Sequence, residues 1–119
     1  MDERGAAHEM IKAIYEDGEV ELTSGRVYKF TRMVHKERRR VFAFYTSIQE
    51  AAARNDFSFL ESEAFGTVEK IIENRVLFED SALSKRASHW DEYPDDYVQL
   101  IMIALGVISY PFLSGAPTS

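Results

Sequence analysis

The groups best able to do chemistry in this 119-residue chain are three histidines, His8, His35 and His89, and twenty carboxylates; cysteine is absent. A metal site needs three or four converging ligands, usually from spacings such as His-x-x-x-His or Cys-x-x-Cys. The histidines are scattered, and His89 with Asp91 would supply two ligands at most. Surface or capping roles are the plainer reading, and no metal or other cofactor is expected. A serine nucleophile needs a neighbouring histidine, often on a Gly-x-Ser-x-Gly turn, and a phosphate cradle needs Gly-x-Gly-x-x-Gly or Gly-Lys-Ser/Thr. None of these occurs. Asp91, Glu92, Asp95 and Asp96 cluster around Pro94, ahead of an apolar stretch. Carboxylates there favour the positive end of a following helix, so a solvated cap is expected in place of an acid–base pair. With no catalytic constellation, the chain is expected not to be an enzyme and to act by binding other protein chains.

Two other patterns carry that expectation. The first is charge. The chain has a net charge of -6, yet residues 26–40 hold Arg26, Lys29, Arg32, Lys36, Arg38, Arg39 and Arg40 against the single acid Glu37, a local excess of +6 that leaves -12 elsewhere. Lys36, Arg38, Arg39 and Arg40 sit where a helix should begin, the unfavourable end for cations. One reading is a solvated face paired with acids of the same fold. A second is a self-complementary patch, meeting residues 91–96 of a neighbouring copy in a salt-sensitive, head-to-tail contact that closes a ring or extends a helix. A third is nucleic-acid binding through residues 26–40. It is the alternative function, weakened because the remainder is acidic and Phe42, Phe44 and Tyr45 fall at core spacing, not as stacking platforms.

The second pattern is apolar. Residues 97–113 carry no charge. On a helix, Val98, Ile101, Met102, Leu105 and Ile108 would share one face, with Tyr110 and Phe112 beyond. Interrupted by Gln99, Ser109 and Pro111, the stretch is too short to favour a membrane span. A helix apolar nearly all round must be enclosed, either by the rest of a small fold or by a partner surface. Lys36, Arg38, Arg39, Arg40, Val98, Ile101, Met102, Leu105, Ile108, Tyr110 and Phe112 are therefore the candidate protein-binding residues.

The elements that must position these residues are legible in outline. Residues 3–17 have a short i, i+3, i+4 apolar stripe that Gly18 can end. Residues 19–22 and 26–32 alternate around Thr23-Ser24-Gly25 and predict a β-hairpin, with Val27 opposite Tyr28 and Phe30. Residues 35–54 contain neither Gly nor Pro and repeat apolar positions helically, until Asn55-Asp56 breaks the pattern. Asp56 or Ser58 could cap a further helix running through Phe65, Val68, Ile71 and Ile72. Residues 75–78 read as extended and open to joining the hairpin, residues 79–93 as a polar connection, and Pro94 as the start of a last helix to about Ser109, stopped by Pro111. The predicted fold is α+β: an N-terminal β-hairpin, or a small three-stranded sheet, packed with a mostly helical remainder. Residues 1–17 form a helical segment, 18–113 a single α+β domain and 114–119 a flexible tail. The absence of cysteine and of a basic, apolar leader makes the cytoplasm the expected location.

The order of hairpin, basic helix start at residues 31–41, helix-plus-extended segment at residues 65–78, and His89-Trp90-Asp91-Glu92-Tyr93-Pro94-Asp95-Asp96-Tyr97 before an apolar helix resembles the tail assembly chaperones of long-tailed bacteriophages. The resemblance covers residues 19–112 and rests on pattern more than on fixed residues; residues 1–17 are not matched. It implies a largely helical α+β protein of the host cytoplasm that self-associates and binds the tape measure protein during tail assembly. It also implies that a longer, frameshifted form could engage the tail tube protein, although nothing in these residues marks a frameshift. A tape measure protein is a long, apolar-striped helical client, which calls for apolar grooves and several chaperone copies.

Overall fold

A four-stranded antiparallel sheet packs with six helices in this α+β protein, whose structure, a computed structural model, describes residues 3–114. The tail expected over 114–119 lies outside the described residues but for the backbone of Ser114. The chain runs α1 (Glu3–Asp17), β1 (Glu19–Glu21), β2 (Val27–Phe30), α2 (His35–Ser47), α3 (Gln49–Ala53), α4 (Glu63–Arg75), β3 (Val76–Phe78), β4 (Ser81–Ala82), α5 (His89–Glu92) and α6 (Tyr97–Ser114). Single 3-10 turns occupy Ser58–Glu61, Leu83–Lys85 and Pro94–Asp96.

Gly18 ends α1 as its sequence position suggests. It takes φ +80°, which a side chain would resist, and its N–H donates to the Ile14 carbonyl at 2.8 Å. β1 and β2 then form the expected hairpin, with Val20 opposite Tyr28. Alternation sends Tyr28 inward and leaves Val27 exposed. Residues 76–78 join the hairpin as a third strand, pairing Tyr28 with Phe78, and β4 adds a fourth that the sequence reading placed in a polar connection. The tight β3–β4 turn puts both Glu79 (φ 53°) and Asp80 (φ 66°) in left-handed conformation, the geometry of a two-residue hairpin turn.

Three helix boundaries differ from expectation. The predicted helix over 35–54 divides at Ile48, where the backbone opens before α3. α4 is capped by Ser62, whose Oγ accepts from the Phe65 N–H at 3.1 Å; Asp56 instead closes a local turn ahead of the 3-10 segment, accepting from the Ser58 N–H. Pro111 does not stop the last helix but lies inside it. The missing N–H leaves the Val107 carbonyl without its i+4 donor. Near this point the Arg38 guanidinium donates to the Ile108 carbonyl at 2.7 Å, tying α2 to the last turns of α6.

α6 is the axis of the core. Leu100, Ile101, Ile103, Ala104, Leu105, Val107 and Ile108 are all buried, enclosed by α1, α2 and α4. The 20 residues Pro94–Leu113 are long and apolar enough to cross a membrane by composition alone, but here they form the centre of a packed fold. α1 can lie close because residue 106 is glycine: a Cβ there would come within 3.0 Å of Ile11 Cδ1. Four residues further along each helix, Tyr15 meets Tyr110 with ring centroids 5.0 Å apart.

Candidate functional site

Residues that the sequence reading divided between a basic segment and an acidic cap meet in one buried polar network. Asp96, expected to be a solvated cap, is 0% exposed. Three side chains from the hairpin donate to its carboxylate: Ser24 Oγ to Oδ1 at 2.6 Å, Tyr28 Oη to Oδ2 at 2.7 Å, and Arg26 Nη1 to Oδ2 at 3.1 Å. The Tyr28 proton is thereby committed, so its oxygen accepts from His89 Nε2, 2.8 Å away. The ring proton of neutral His89 therefore sits on Nε2. Its Nδ1 is buried with no partner among the described residues. Phe78, Trp90 and Tyr93 surround the imidazole at centroid distances of 4.8, 4.7 and 5.1 Å, and the Arg26 guanidinium stacks 4.0 Å over the Tyr93 ring.

The electrostatics follow from these contacts. Burial alone would raise the Asp96 pKa, but hydrogen bonds from Ser24, Tyr28 and Arg26 outweigh it and hold the carboxyl below its ordinary range. Burial, with Asp96 as neighbour, pushes the Tyr28 hydroxyl far up, so it stays protonated. Burial and the charge of Arg86 push His89 below its usual value, against the opposing pull of Asp96. Tyrosine, aspartate and histidine in contact resemble an acid–base relay, and perturbed pKa values often mark catalytic groups. Here Tyr28 and Asp96 are wholly enclosed and His89 nearly so. What the arrangement does chemically is fasten the β1–β2 hairpin to the base of α6. A second fastening joins α4 to the same region: Trp90 Nε1 donates to Glu73 at 3.1 Å, and the Tyr97 hydroxyl donates to Glu69. Burial raises the Glu73 pKa, partly offset by the Trp90 bond. Among the described residues no group of three or more His, Asp or Glu side chains is placed to hold a metal ion.

The candidate binding residues do not form one site. Ile101, Leu105 and Ile108 are sealed in the core, where a partner cannot touch them without opening the fold. Val98 is exposed and Met102 half-buried at the α6 base and middle. Tyr110 and Phe112 are half-buried at its far end, Tyr110 against Tyr15 and Phe112 against Phe42 and His35, at 5.1 and 5.9 Å. Val34, Tyr15 and Leu113 lie nearby, exposed at 51%, 40% and 45%.

The basic segment is likewise divided. Arg26 pairs with Asp95 and Asp96, Lys29 lies 3.8 Å from Asp80, and Arg38 is used on the Ile108 carbonyl. Glu37 is engaged by Arg75 at 2.9 and 3.3 Å. Lys36, Arg39 and Arg40 are exposed, have no carboxylate within 4.0 Å among the described residues, and line a groove of about 760 Å³ between α2 and α4. The intramolecular Arg26 pairs also take up part of the acidic segment pictured as meeting a second copy.

Sequence reasoning missed the Tyr28–Asp96–His89 network, although a signal was present. Extending the buried α6 positions Val107, Ala104 and Leu100 back by one turn lands on Asp96, a carboxylate in an otherwise apolar row. In comparisons with known proteins, no family model matches this chain, and no curated protein or solved structure is significantly similar to it.

Proposed function

We propose that this chain is a non-enzymatic assembly chaperone that shields a long helical client, which in a phage tail system is the tape measure protein. One observation carries the reading: accessible apolar side chains gather at the last turns of α6, where Tyr110 packs on the exposed Tyr15, Phe112 packs on His35 beside the exposed Val34, and Leu113 is itself exposed. Exposed apolar clusters of this kind on small domains mark protein-binding surfaces. The sequence resemblance to tail assembly chaperones supplies the class of client, the host cytoplasm as the location, self-association, and contact with the tail tube through a longer form. Burial of the middle of α6 moves the working surface from that helix's length to its end.

The test is co-expression with a tape measure protein and mass measurement by light scattering. The chain is expected to keep the client soluble and co-purify with it, and Val34→Glu with Leu113→Glu is expected to abolish this while leaving the far-UV circular dichroism unchanged. A client equally soluble with and without the chain would refute the reading. Nucleic-acid binding is less well supported, since three of the seven cations in residues 26–40 are engaged within the fold.

A further inference from the structure

We infer that the groove between α2 and α4 is a docking site for an amphipathic helix of a partner protein whose flank carries carboxylates. The inference rests on the protein-binding reading in taking the partner to be a polypeptide, and adds where it docks and what chemistry selects it.

The groove is built from two helical stripes. Along α2 the positions Lys36, Arg40 and Ala43 follow i, i+4, i+7 spacing, and along α4 Ala64, Thr67 and Ile71 follow i, i+3, i+7. The helices are antiparallel, since Arg75 at the end of α4 pairs with Glu37 at the start of α2. A second concavity shares Arg40, Ala43 and Thr67 with the first and continues over Ala64 and Val68, so the groove runs from Lys36 to Ser47 of α2. At about 1.5 Å per residue, that is roughly 16 Å, the length of a three-turn helix. Its exposed floor residues are small, which lets a partner backbone approach at ordinary helix-packing distance.

Charge names the occupant. Positive potential at the α2 end of this groove comes from Lys36, Arg39 and Arg40 and from the start of the helix itself. The N-cap is Val34, which offers no side-chain cap, and Glu37, the first-turn carboxylate, which also lines the groove, is neutralised by its pair with Arg75, so three cations stand there without a balancing acid among the described residues. A fold selected for stability alone would place carboxylates there, so the excess points outward to an anionic partner. The partner is a polypeptide and not a phosphodiester chain because the floor is apolar and lacks an exposed aromatic stacking surface, while the rest of the molecule is strongly acidic.

The experiment uses the full chain and fluorescein-labelled helical peptides of about 14 residues, one turn longer than the groove, with a leucine stripe flanked by glutamate, and the same peptide flanked by lysine. The glutamate form is expected to bind and the lysine form not. Reversing the three cations (K36E, R39E, R40E) is expected to weaken binding about 30-fold. Ala43→Phe, which fills the floor and keeps every charge, is expected to weaken it as well. Thermal unfolding of each variant, read by Trp90 fluorescence, checks that the fold persists. Absence of glutamate-peptide binding at low salt overturns the inference, as does loss on charge reversal with no loss for Ala43→Phe. Displacement of the peptide by a single-stranded oligonucleotide at physiological salt would assign the groove to nucleic acid, and a dimer of the chain that dissociates on charge reversal would assign it to a second copy; either overturns the inference. If the peptide fails while the chain still solubilises the client, the groove assignment falls and the chaperone reading stands.

Discussion

Replacing Asp96 with asparagine keeps the side chain's shape and removes its charge, so it isolates what the carboxylate contributes to the buried network. Removing one member of a fully buried ion pair costs about 3–5 kcal/mol, because the other charge is stranded. The Arg26 side chain, however, is 27% exposed and can turn to water and to Asp95, so the loss should fall below that range. The amide oxygen can still accept from Tyr28, and its NH₂ group can donate to Ser24 Oγ. What disappears is the charge-assisted part of three hydrogen bonds, about 2–3 kcal/mol in all. For a chain of this length that is a fall in Tm of roughly 8–12 °C. Unfolding in urea followed by the fluorescence of Trp90, the single tryptophan, measures it directly. The pH dependence supplies a second readout. Asp96 titrates below its ordinary value when folded, so its contribution is complete above the unfolded carboxyl pKa of about 3.9 and is lost as pH falls toward the folded value. The variant's stability should therefore fall less steeply than wild type's below about pH 4. A destabilisation under about 0.5 kcal/mol, as for an ordinary surface substitution, would refute the claim that Asp96 anchors the hairpin to α6.

His89 is held below its ordinary pKa, so on acidification the unfolded chain takes up a proton at this residue before the folded chain does. Wild-type stability should begin to fall below about pH 6.5, whereas His89→Gln, which can still donate to Tyr28, should lack that component; identical slopes in urea titrations from pH 7 to 5 would contradict it. Asp80→Gly relieves a left-handed residue in the β3–β4 turn, and the surface pair it gives up, with side chains 54% and 85% exposed, is worth close to nothing. A gain of about 0.5 kcal/mol in thermal unfolding is expected after the added flexibility of glycine in the unfolded chain is deducted, and a loss would show that the turn is not strained.

The fold was legible where local pattern and tertiary packing agree. The hairpin alternates cleanly and turns on Thr23-Ser24-Gly25; Gly18 ends α1, and residues 76–78 are apolar enough to be a strand. Packing overrode local signals elsewhere. Pro111 reads as a helix stop, yet the helix continues past it, with Arg38 bound to a nearby carbonyl from another element, a contact between residues 70 positions apart. The site was less legible for the same reason. Asp96 and Arg26 looked like separate surface charges because nothing local reveals that Ser24, Tyr28 and His89 converge between them. The apolar excess of residues 97–113 was visible, but whether it faces a partner or the interior depends on α1, α2 and α4 surrounding it, which periodicity alone does not specify.

Phe112 rests on His35 and Phe42 at the opening turns of α2, while Arg38 of the same turns holds α6 two turns from its end. The closing turns of α6 and the opening turns of α2 thus move as one body, so a substitution that loosens Phe112 should also be felt at the start of the helix that carries Lys36, Arg39 and Arg40.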